Sequence, residues 1–581
     1  MILQSLVDYY EKLAGKGLLE RPGWSKVKIS WALDIDREGK LIAIYPLKTQ
    51  SSDGKRLIPR ELVMPAPVKR SSGISPNFLC DHSSYLLGED TKGKPERTKD
   101  CYMSSKELHN RLLGGLGTPE ALAVVRFFEN WDETSRNSHS EYQKQKEALI
   151  TGENITFMFE GKYLSEYPEV QKAWQDTYDD EDGDQQICMI TGRPAVPQKI
   201  HPSIKNVRGA QSSGAALVSF NAQAFCSYGK EQNENAPTGK YAAFAYTTAL
   251  NYLLSDRDHV KYIGNSAVVY WAKDAETGYQ DIFSSLLDGP NNTITEEDLN
   301  GIMKALAAGK DCDYSGIPIH PDNEFFILGI SPNAARLSIR FFYHNGFGNI
   351  VSNIKKHYED IHIVTDNRGK FDTFPLWALL RETINAKSSD KMPLPQMSGD
   401  LMKSMITGSR YPETLMNQTM LRIRAEHSVT RGRAGIIKAY LIRNTSNMAD
   451  GFKEVSTVSL NQESNYTPYV LGRLFAVLEG LQQSANPGIN ATIKDRYFNS
   501  ACATPAAVFP ILLKLSNSHL KKLEKGASVY WSKQIGNLTD RLGLSFPAHC
   551  TLQEQGAFIL GYYHQTQKRF EKKSVNNKEE Q

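Results

Sequence analysis

Alternating apolar and polar positions predict strands in the first two-thirds of the chain. Residues 27–35 and 41–45 alternate on either side of a turn at 37–40, a pattern typical of a β-hairpin. Further apolar runs predict core strands over residues 155–160, 266–272, 324–330 and 337–343.

Helical periodicity starts at the amino terminus and dominates the last third. The first 17 residues predict an amphipathic helix that ends at Gly15 or Gly17. A Met-rich helix over 395–406 fits core packing better than binding. From residue 467 onward, helical segments separated by Pro and Gly breaks predict a bundle of four or five helices. Other helices are predicted over 104–147, 166–178, 241–256, 348–356, 374–387 and 414–443.

These patterns predict an α/β mixed N-terminal region followed by an all-α helical-bundle C-terminal domain. A chain of 581 residues is too long for a single core. We place region boundaries near residues 150, 390 and 459.

Composition narrows the class of protein. With 40% hydrophobic and 23% charged residues, the chain resembles an ordinary soluble globular protein. The net charge is only +3, so affinity for nucleic acid must come from local basic patches. No window of eighteen apolar residues predicts a membrane span, and the seven scattered cysteines contain no CxxC pair. We expect free thiols and a cytoplasmic location.

The segment 188–229 is rich in Gly, Ser and Asn, and four of its basic or imidazole side chains follow at close intervals with no acidic residue between them. Exposed backbone N–H groups beside such side chains suit a surface that accepts phosphates or bases. An irregular structural loop is the alternative interpretation. The side chains concerned are Lys199, His201, Lys205 and Arg208.

A second basic and glycine-containing segment lies near residue 70. Lys69 and Arg70 precede Ser72, Gly73 and Asn77. Glycine lets the backbone approach a phosphate ribbon, Lys and Arg neutralise it, and Asn can reach acceptors on base edges. A solvated turn capped by Asn77 is the alternative.

Other basic side chains cluster further along the chain. Arg336 and Arg340 are four residues apart and would share one face of either a helix or a strand. Residues 460–581 carry 14 Lys or Arg against 9 Asp or Glu, a local charge of +5. Between residues 422 and 443 there are six Lys or Arg residues and a single acidic residue, Glu426. The basic residues are Arg422, Arg424, Arg431, Arg433, Lys438 and Arg443.

Catalytic motifs are sparse. No GxxxxGK[ST] loop is present, which argues against a P-loop ATPase. The pairs Asp81–His82 and Asp258–His259 could ligate a metal in a nuclease or phosphohydrolase, although the thirteen histidines are dispersed. A weaker nuclease signal, Asp366 with Lys370, follows a strand-like run at 361–365. We predict no catalytic residue, cofactor or metal, and keep a metal-dependent nuclease or phosphohydrolase as the alternative.

Several long segments together resemble one family. In order along nearly the whole chain, they are similar to the large subunit of the type I-C CRISPR surveillance complex, or Cascade. The segments are residues 69–88, 188–238, 266–272, 325–343 and 433–444.

The resemblance implies a non-enzymatic subunit. It would recognise a protospacer-adjacent motif on target double-stranded DNA, promote R-loop formation and recruit a helicase-nuclease in antiviral defence. Implied partners are the crRNA and the backbone and handle-binding Cascade subunits. A small subunit made from an internal start is also implied, beginning at Met448 or at a non-AUG codon such as those of Val455, Val458 or Leu460.

The resemblance also implies a role for each of the four predicted regions. Residues 1–150 would recognise the adjacent motif, 151–390 form a mixed α/β core, 391–459 a basic helical connector, and 460–581 the bundle resembling the small subunit. For the adjacent-motif duplex we predict Lys69, Arg70, Ser72 and Asn77. For the RNA handle or a subunit surface we predict Lys199, Lys205 and Arg208. For the DNA strands we predict Arg336, Arg340 and the six basic residues of 422–443. The basic face of the bundle would comprise Arg473, Lys494, Arg496, Lys521, Lys522 and Lys525.

Overall fold

The computed structural model describes residues 1–50, 56–68, 70, 73–179, 183–220, 222–289, 294–365, 374–385, 387–389, 391–445 and 451–570. The chain forms two compact units. Unit 1 comprises Met1–Pro202 and Val218–Ala249, and unit 2 comprises Ser203–Leu217 and Leu250–Gln581. The boundaries near 150, 390 and 459 fall inside these units and stay predictions.

Unit 1 combines helices with short strands. Its helices are α1 (Ile2–Gly15), α2 (Ser83–Leu86), α3 (Pro95–Leu113), α4 (Pro119–Asn130), α5 (Glu133–Ser138), α6 (Ser140–Leu149) and α7 (Pro168–Asp179). Its strands are β1 (Trp24–Ile29), β2 (Trp31–Ile35), β3 (Leu41–Pro46), β4 (Lys48–Gln50), β5 (Leu57–Pro65), β6 (Cys80–Asp81), β7 (Ile155–Phe159), β8 (Lys162–Tyr163), β9 (Gln186–Ile187) and β10 (Pro194–Ala195). Single 3-10 turns occupy Leu164–Glu166, Gln223–Phe225 and Gln232–Asn235.

The main sheet of unit 1 has the order β3-β2-β7-β6, with β8 paired to β7. The hairpin prediction is confirmed for β2 and β3, where Leu33 pairs with Ile44. The predicted strand over 27–35 is wrong in extent, because it divides at Ser30 and β1 pairs with β5 in another sheet. Phe127 and Phe128 of α4 are buried against Phe157 of β7, which belongs to the main sheet.

Unit 2 begins with a sheet and continues as helices, and α8 (Lys240–Ser255) crosses the boundary between the units. Its strands are β11 (Val260–Ile263), β12 (Ser266–Ala272), β13 (Cys312–Tyr314), β14 (Ile317–Ile319), β15 (Glu324–Asn333) and β16 (Arg336–Gly346). Its helices are α9 (Gly278–Asp288), α10 (Glu296–Ala307), α11 (Phe347–Ile361), α12 (Leu376–Arg381), α13 (Pro395–Thr407), α14 (Glu413–Glu426), α15 (Arg431–Asn444), α16 (Phe452–Val455), α17 (Thr467–Ala485), α18 (Ile493–Ala503), α19 (Pro505–Leu520), α20 (Lys525–Thr539) and α21 (Leu552–Phe570).

The order of elements agrees with a mixed region followed by a helical one. Strands β11, β12, β15 and β16 form an antiparallel sheet in that order, and within the described residues no strand follows Gly346. Met397, Met402 and Met405 of α13 are buried, so the core role predicted for this helix is confirmed. The strand expected over 361–365 is wrong, because Ile361 is the last residue of α11 and residues 362–365 do not form a strand. No helix in the described ranges is long and apolar enough to cross a membrane.

Candidate nucleic-acid interface

An ion pair organises the segment that leads into β6. The carboxylate of Asp81 is fully buried and pairs with the guanidinium of Arg70 through two hydrogen bonds, Nη1 to Oδ1 at 2.9 Å and Nη2 to Oδ2. Arg70 also donates from Nε to the carbonyl of Ser75 at 2.5 Å, and the Asn77 N–H donates to Asp81 at 2.8 Å. Burial lowers the pKa of Arg70, but the hydrogen bond and charge of Asp81 outweigh it and the pKa is raised.

The same segment is anchored to α3 by a buried histidine. The Leu79 N–H donates to Nε2 of His109 at 3.0 Å, and Nδ1 of His109 bonds the carbonyl of Ser105 at 2.7 Å. Leu79 has a φ of +59°, a strained conformation for a residue with a side chain. Phe78 stacks on Trp174 at 5.6 Å between ring centroids and fixes the neighbouring position.

A cavity of about 430 Å³ opens beside this segment. Lys92, Lys94 and Arg97 line it together with Arg70, and Arg97 donates to the carbonyl of Gly73 at 2.9 Å. Asp90 is the acidic residue among the described lining residues. Since Asp81 balances Arg70, the remaining three cations outnumber this single carboxylate. We call this site the α3 cleft.

The amino terminus of α3 adds to the positive potential of the cleft. Pro95 begins the helix and no side chain caps its first N–H groups. Asp90 is already engaged, since it accepts hydrogen bonds from the Lys92 N–H at 2.9 Å and the Thr98 hydroxyl at 3.2 Å. Glu96 lies in the first turn of α3 and is not among the lining residues. Such a site suits an anion such as a phosphate.

The residues predicted for the adjacent motif are only partly brought into the cleft. Arg70 lines it, but three of its donor groups serve Asp81 and Ser75. The side-chain oxygen of Asn77 accepts from the Val68 N–H at 2.9 Å, as the capping alternative expected. Lys69 and Ser72 lie outside the described residues. Direct contact of these four residues with a duplex stays a prediction.

The residues predicted for the RNA handle are exposed. Lys199 belongs to unit 1, whereas Lys205 and Arg208 belong to unit 2. The guanidinium of Arg208 lies 3.9 Å from the ring centroid of Tyr262, an arrangement that holds it by a cation–π interaction. His201 is buried and bonds the Tyr246 hydroxyl at 2.6 Å, so its role is structural.

Arg336 and Arg340 lie on β16, but a bulge separates them. Gly329 pairs with Phe341 and Ile330 with Ile339, so Arg340 is skipped in the register. The bulge interrupts the alternation from which we expected a shared face. Arg340 is exposed and donates to the Ser331 hydroxyl at 2.6 Å, whereas Arg336 is half-buried.

Three of the six basic side chains between residues 422 and 443 lie in the interior of unit 2. Arg433 is buried and pairs with Glu426 at 2.5 Å, and Arg443 pairs with Asp360 at 2.6 Å with 4% of its side chain exposed. Lys438 is buried and donates to the Asp360 carbonyl at 2.6 Å, and burial lowers its pKa to about 8. We therefore assign these three to the fold rather than to a strand-binding surface.

The other three basic residues of this stretch are less enclosed. Arg422 lies 3.7 Å from Glu426 with 13% of its side chain exposed, and Arg424 is exposed and donates to Gln555 at 2.6 Å. Arg431 stacks over Phe374 at 5.0 Å. The imbalance of charge that suggested a strand-binding helix is thus met by Glu426 within the stretch and by Asp360, Gln555 and Phe374 from outside it.

The basic residues of the helical bundle differ strongly in exposure. Arg473 is buried and donates to the carbonyls of Asn461 and Gln462, both at 3.1 Å. Lys494 lies over the ring of Tyr562 at 5.0 Å, and burial lowers its pKa. The exposed members of the predicted basic face are Arg496, Lys521, Lys522 and Lys525.

The two acid–histidine pairs are not assembled into a metal site. The Arg70 guanidinium and the N–H groups of Asn77 and His82 use both oxygens of Asp81. His259 is buried, and its Nε2 lies 3.8 Å from Asp256. In the part of the chain that the structure describes, no three His, Cys, Asp or Glu side chains could hold a metal together. Asp366 and Lys370 lie outside that part.

Sequence reasoning missed Lys92, Lys94 and Arg97. The signal was present as a short basic run, KGKPER, whose proline marks the first turn of a helix. What the sequence could not reveal is that the carbonyl of Gly73 would hold Arg97 beside that run.

A comparison with known families identifies the chain. The model of the family described as CRISPR-associated protein (Cas_Csd1) matches residues 6–570. No curated protein matches the sequence. Because the match covers nearly the whole length, it confirms the resemblance to the Cascade large subunit. The chain belongs to the Cas_Csd1 family of CRISPR-associated proteins.

Proposed function

We propose that this chain is the large subunit of a type I-C Cascade that contacts the target duplex through the α3 cleft, next to the protospacer-adjacent motif. The observation that carries the proposal is the convergence of Lys92, Lys94 and Arg97 on a cavity at the start of α3. Phosphate contacts position a protein on a duplex, and a few base contacts then discriminate sequence. The cleft supplies the cations, and the Arg70–Asp81 pair supplies a fixed loop beside them.

A binding subunit can promote R-loop formation without chemistry of its own. Exchange of a DNA duplex for an RNA–DNA heteroduplex is nearly balanced in free energy, so a few contacts to the adjacent motif and the displaced strand decide whether it proceeds. Exposed cations such as Arg340 and Lys521 would guide single strands in a sequence-tolerant way. We further propose a cytoplasmic, non-catalytic subunit that binds crRNA, the backbone and handle-binding subunits and an internally initiated small subunit, and recruits a helicase-nuclease.

The test is duplex binding by the complex assembled with crRNA. A Lys94→Gln/Arg97→Gln variant should bind target duplex about ten- to a hundredfold more weakly. The slope of log affinity against log salt should fall by about 1.8, since each lost phosphate contact contributes about 0.9. Lys99→Gln is the matched control, because Lys99 is exposed on the same helix but does not line the cleft.

Comparison of two duplexes separates base recognition from general attraction. If the cleft reads the motif, the double variant should lose the preference for a duplex with the permissive motif over a scrambled one. Equal affinity of the double variant, the Lys99→Gln variant and the unchanged complex would refute the proposed site. Cleavage of labelled DNA by the purified chain with Mg²⁺ or Mn²⁺, abolished by Asp258→Asn, would instead favour a nuclease.

A further inference from the structure

Unit 2 contains a small apolar pocket with an exposed aromatic ring at its mouth. The pocket has a volume of about 230 Å³ and is lined by Leu376, Trp377, Leu380 and Ile384 on one side and by Tyr262 on the other. Trp377 is 57% exposed, which is unusual for a residue of this size beside a buried core. The neighbouring Leu376 and Leu380 are buried, so α12 is held in place while its tryptophan faces the opening.

The rim of this pocket is basic. Arg381 and Lys261 line it, and Lys391, next to the lining residue Met392, is exposed. The acidic residue among the described lining residues is Asp288, which Lys261 already neutralises at 2.6 Å. Arg381 is therefore the lining cation that no carboxylate among the described lining residues balances.

The pocket also adjoins a basic side chain predicted from the sequence to face RNA. Tyr262 lines the pocket with one part of its surface and carries the guanidinium of Arg208 on its ring at 3.9 Å. Its hydroxyl donates to the carbonyl of Asn206 at 2.8 Å, which fixes the ring. Arg208 is exposed, so the cationic surface continues from the pocket towards it.

We propose that this pocket takes one unpaired nucleobase of a single-stranded nucleic acid, stacked against Trp377, with a flanking phosphate on Arg381. The inference rests on the proposed function, because it requires that the chain contacts nucleic acid. A volume of about 230 Å³ is below the roughly 300–1,000 Å³ of pockets that enclose drug-sized ligands and suits a single flat ring. An aromatic platform combined with cations is the usual means by which proteins hold single strands without reading sequence.

A positive rim favours a polyanion over a partner peptide as the occupant. An apolar peptide anchor would fit the floor of the pocket but would gain nothing from the cationic Arg381 that lines it. A nucleotide uses both features, the ring for its base and the cations for its phosphates. The strand could be the crRNA handle or displaced DNA, and the experiment separates these sources.

The experiment measures binding of short single strands to the full-length chain. The probes are a DNA and an RNA of the same sequence, each with one 2-aminopurine whose fluorescence is quenched by stacking. Trp377→Ala should weaken binding about five- to a hundredfold and remove the quenching, whereas Trp377→Phe should keep most of both. Tyr530→Ala is the matched control, because Tyr530 is 55% exposed on α20 and lies outside the pocket.

The two probes and the assembled complex distinguish the outcomes. Greater loss for the RNA probe assigns the pocket to the handle, and greater loss for the DNA probe assigns it to the displaced strand. Single-strand binding and quenching that Trp377→Ala leaves unchanged would overturn the inference, as would a loss that Tyr530→Ala reproduces. Reduced co-purification of other subunits with unchanged strand binding would also overturn it, in favour of a peptide. Since the α3 cleft is tested with duplexes and with other residues, failure of this pocket can be distinguished from failure of the proposed function.

Discussion

Leu79 donates its backbone N–H to Nε2 of His109 at 3.0 Å, although Leu79 itself has a φ of +59°. The histidine thus helps to hold the strained end of the segment that borders the α3 cleft. Its other nitrogen is bonded to the Ser105 carbonyl, so the imidazole must remain neutral to accept from Leu79. Burial lowers the pKa of His109 to about 4.

We expect the stability of unit 1 to fall as the pH decreases below 6.5. The unfolded chain binds a proton at His109 with a pKa of about 6.5, whereas the folded chain does so only near pH 4. The folded state therefore loses about 2 kcal/mol of stability from this residue between pH 7.5 and 5. The measurement is the thermal midpoint at both pH values for the unchanged chain and for His109→Gln.

The comparison with His109→Gln is needed because other buried histidines contribute in the same direction. Burial also lowers the pKa values of His201, His357 and His564. The variant should show a smaller difference in midpoint between the two pH values than the unchanged chain. An identical difference would mean that His109 is not the neutral acceptor of the Leu79 N–H.

Asp81→Asn should loosen the segment beside the α3 cleft. The change leaves the guanidinium of Arg70 without its charged partner in a site where only 22% of the Arg70 side chain is exposed. We expect a loss of about 2–3 kcal/mol in stability, together with weaker duplex binding. Hydrogen exchange at the Asn77 and Leu79 amides should accelerate. Unchanged exchange at both amides would contradict the organising role of the ion pair.

The sequence predicted helices and strands well where the periodic apolar pattern was long, but it predicted contacts between distant residues poorly. The periodic runs at 241–256 and 266–272 correspond almost residue for residue to α8 and β12. A local apolar pattern is enough to predict a helix with one buried face or a fully buried strand. The run at 27–35 failed at Ser30, since the choice of strand partner depends on β5, which is distant in sequence. The partners of the basic residues were likewise not predictable, because they too are distant in sequence. Charge alone could not show that Arg443 would meet Asp360.

Gly472→Ala should disrupt the pairing of α17 with α21, because the two backbones touch. A Cβ at Gly472 would lie 1.9 Å from the carbonyl oxygen of Phe558, and one at Gly561 would lie 2.1 Å from that of Tyr469. Backbone atoms cannot move aside as a flexible side chain can, so we expect a loss of about 3 kcal/mol or more.

Gly536→Ala is the matched control within the same bundle. Gly536 lies in α20, and a Cβ there would meet nothing within 4 Å. Alanine has the better helix propensity, so this variant should gain about 0.5–1 kcal/mol. The two changes are chemically identical and should shift the thermal midpoint in opposite directions. A midpoint lowered equally by both would contradict the close packing at Gly472.

Burial should divide the predicted basic face of the bundle into two kinds of residue. Arg473→Gln removes a buried guanidinium that satisfies the carbonyls of Asn461 and Gln462, so the variant should lose thermal stability. A Lys521→Gln/Lys522→Gln/Lys525→Gln variant should fold as before, because all three side chains are exposed. If these lysines contact a single strand, the slope of log affinity against log salt should fall by about 2, at about 0.7 for each contact. A stable Arg473→Gln variant that lost strand binding would reverse this assignment, since a buried guanidinium can reach a phosphate only if the helices around it open.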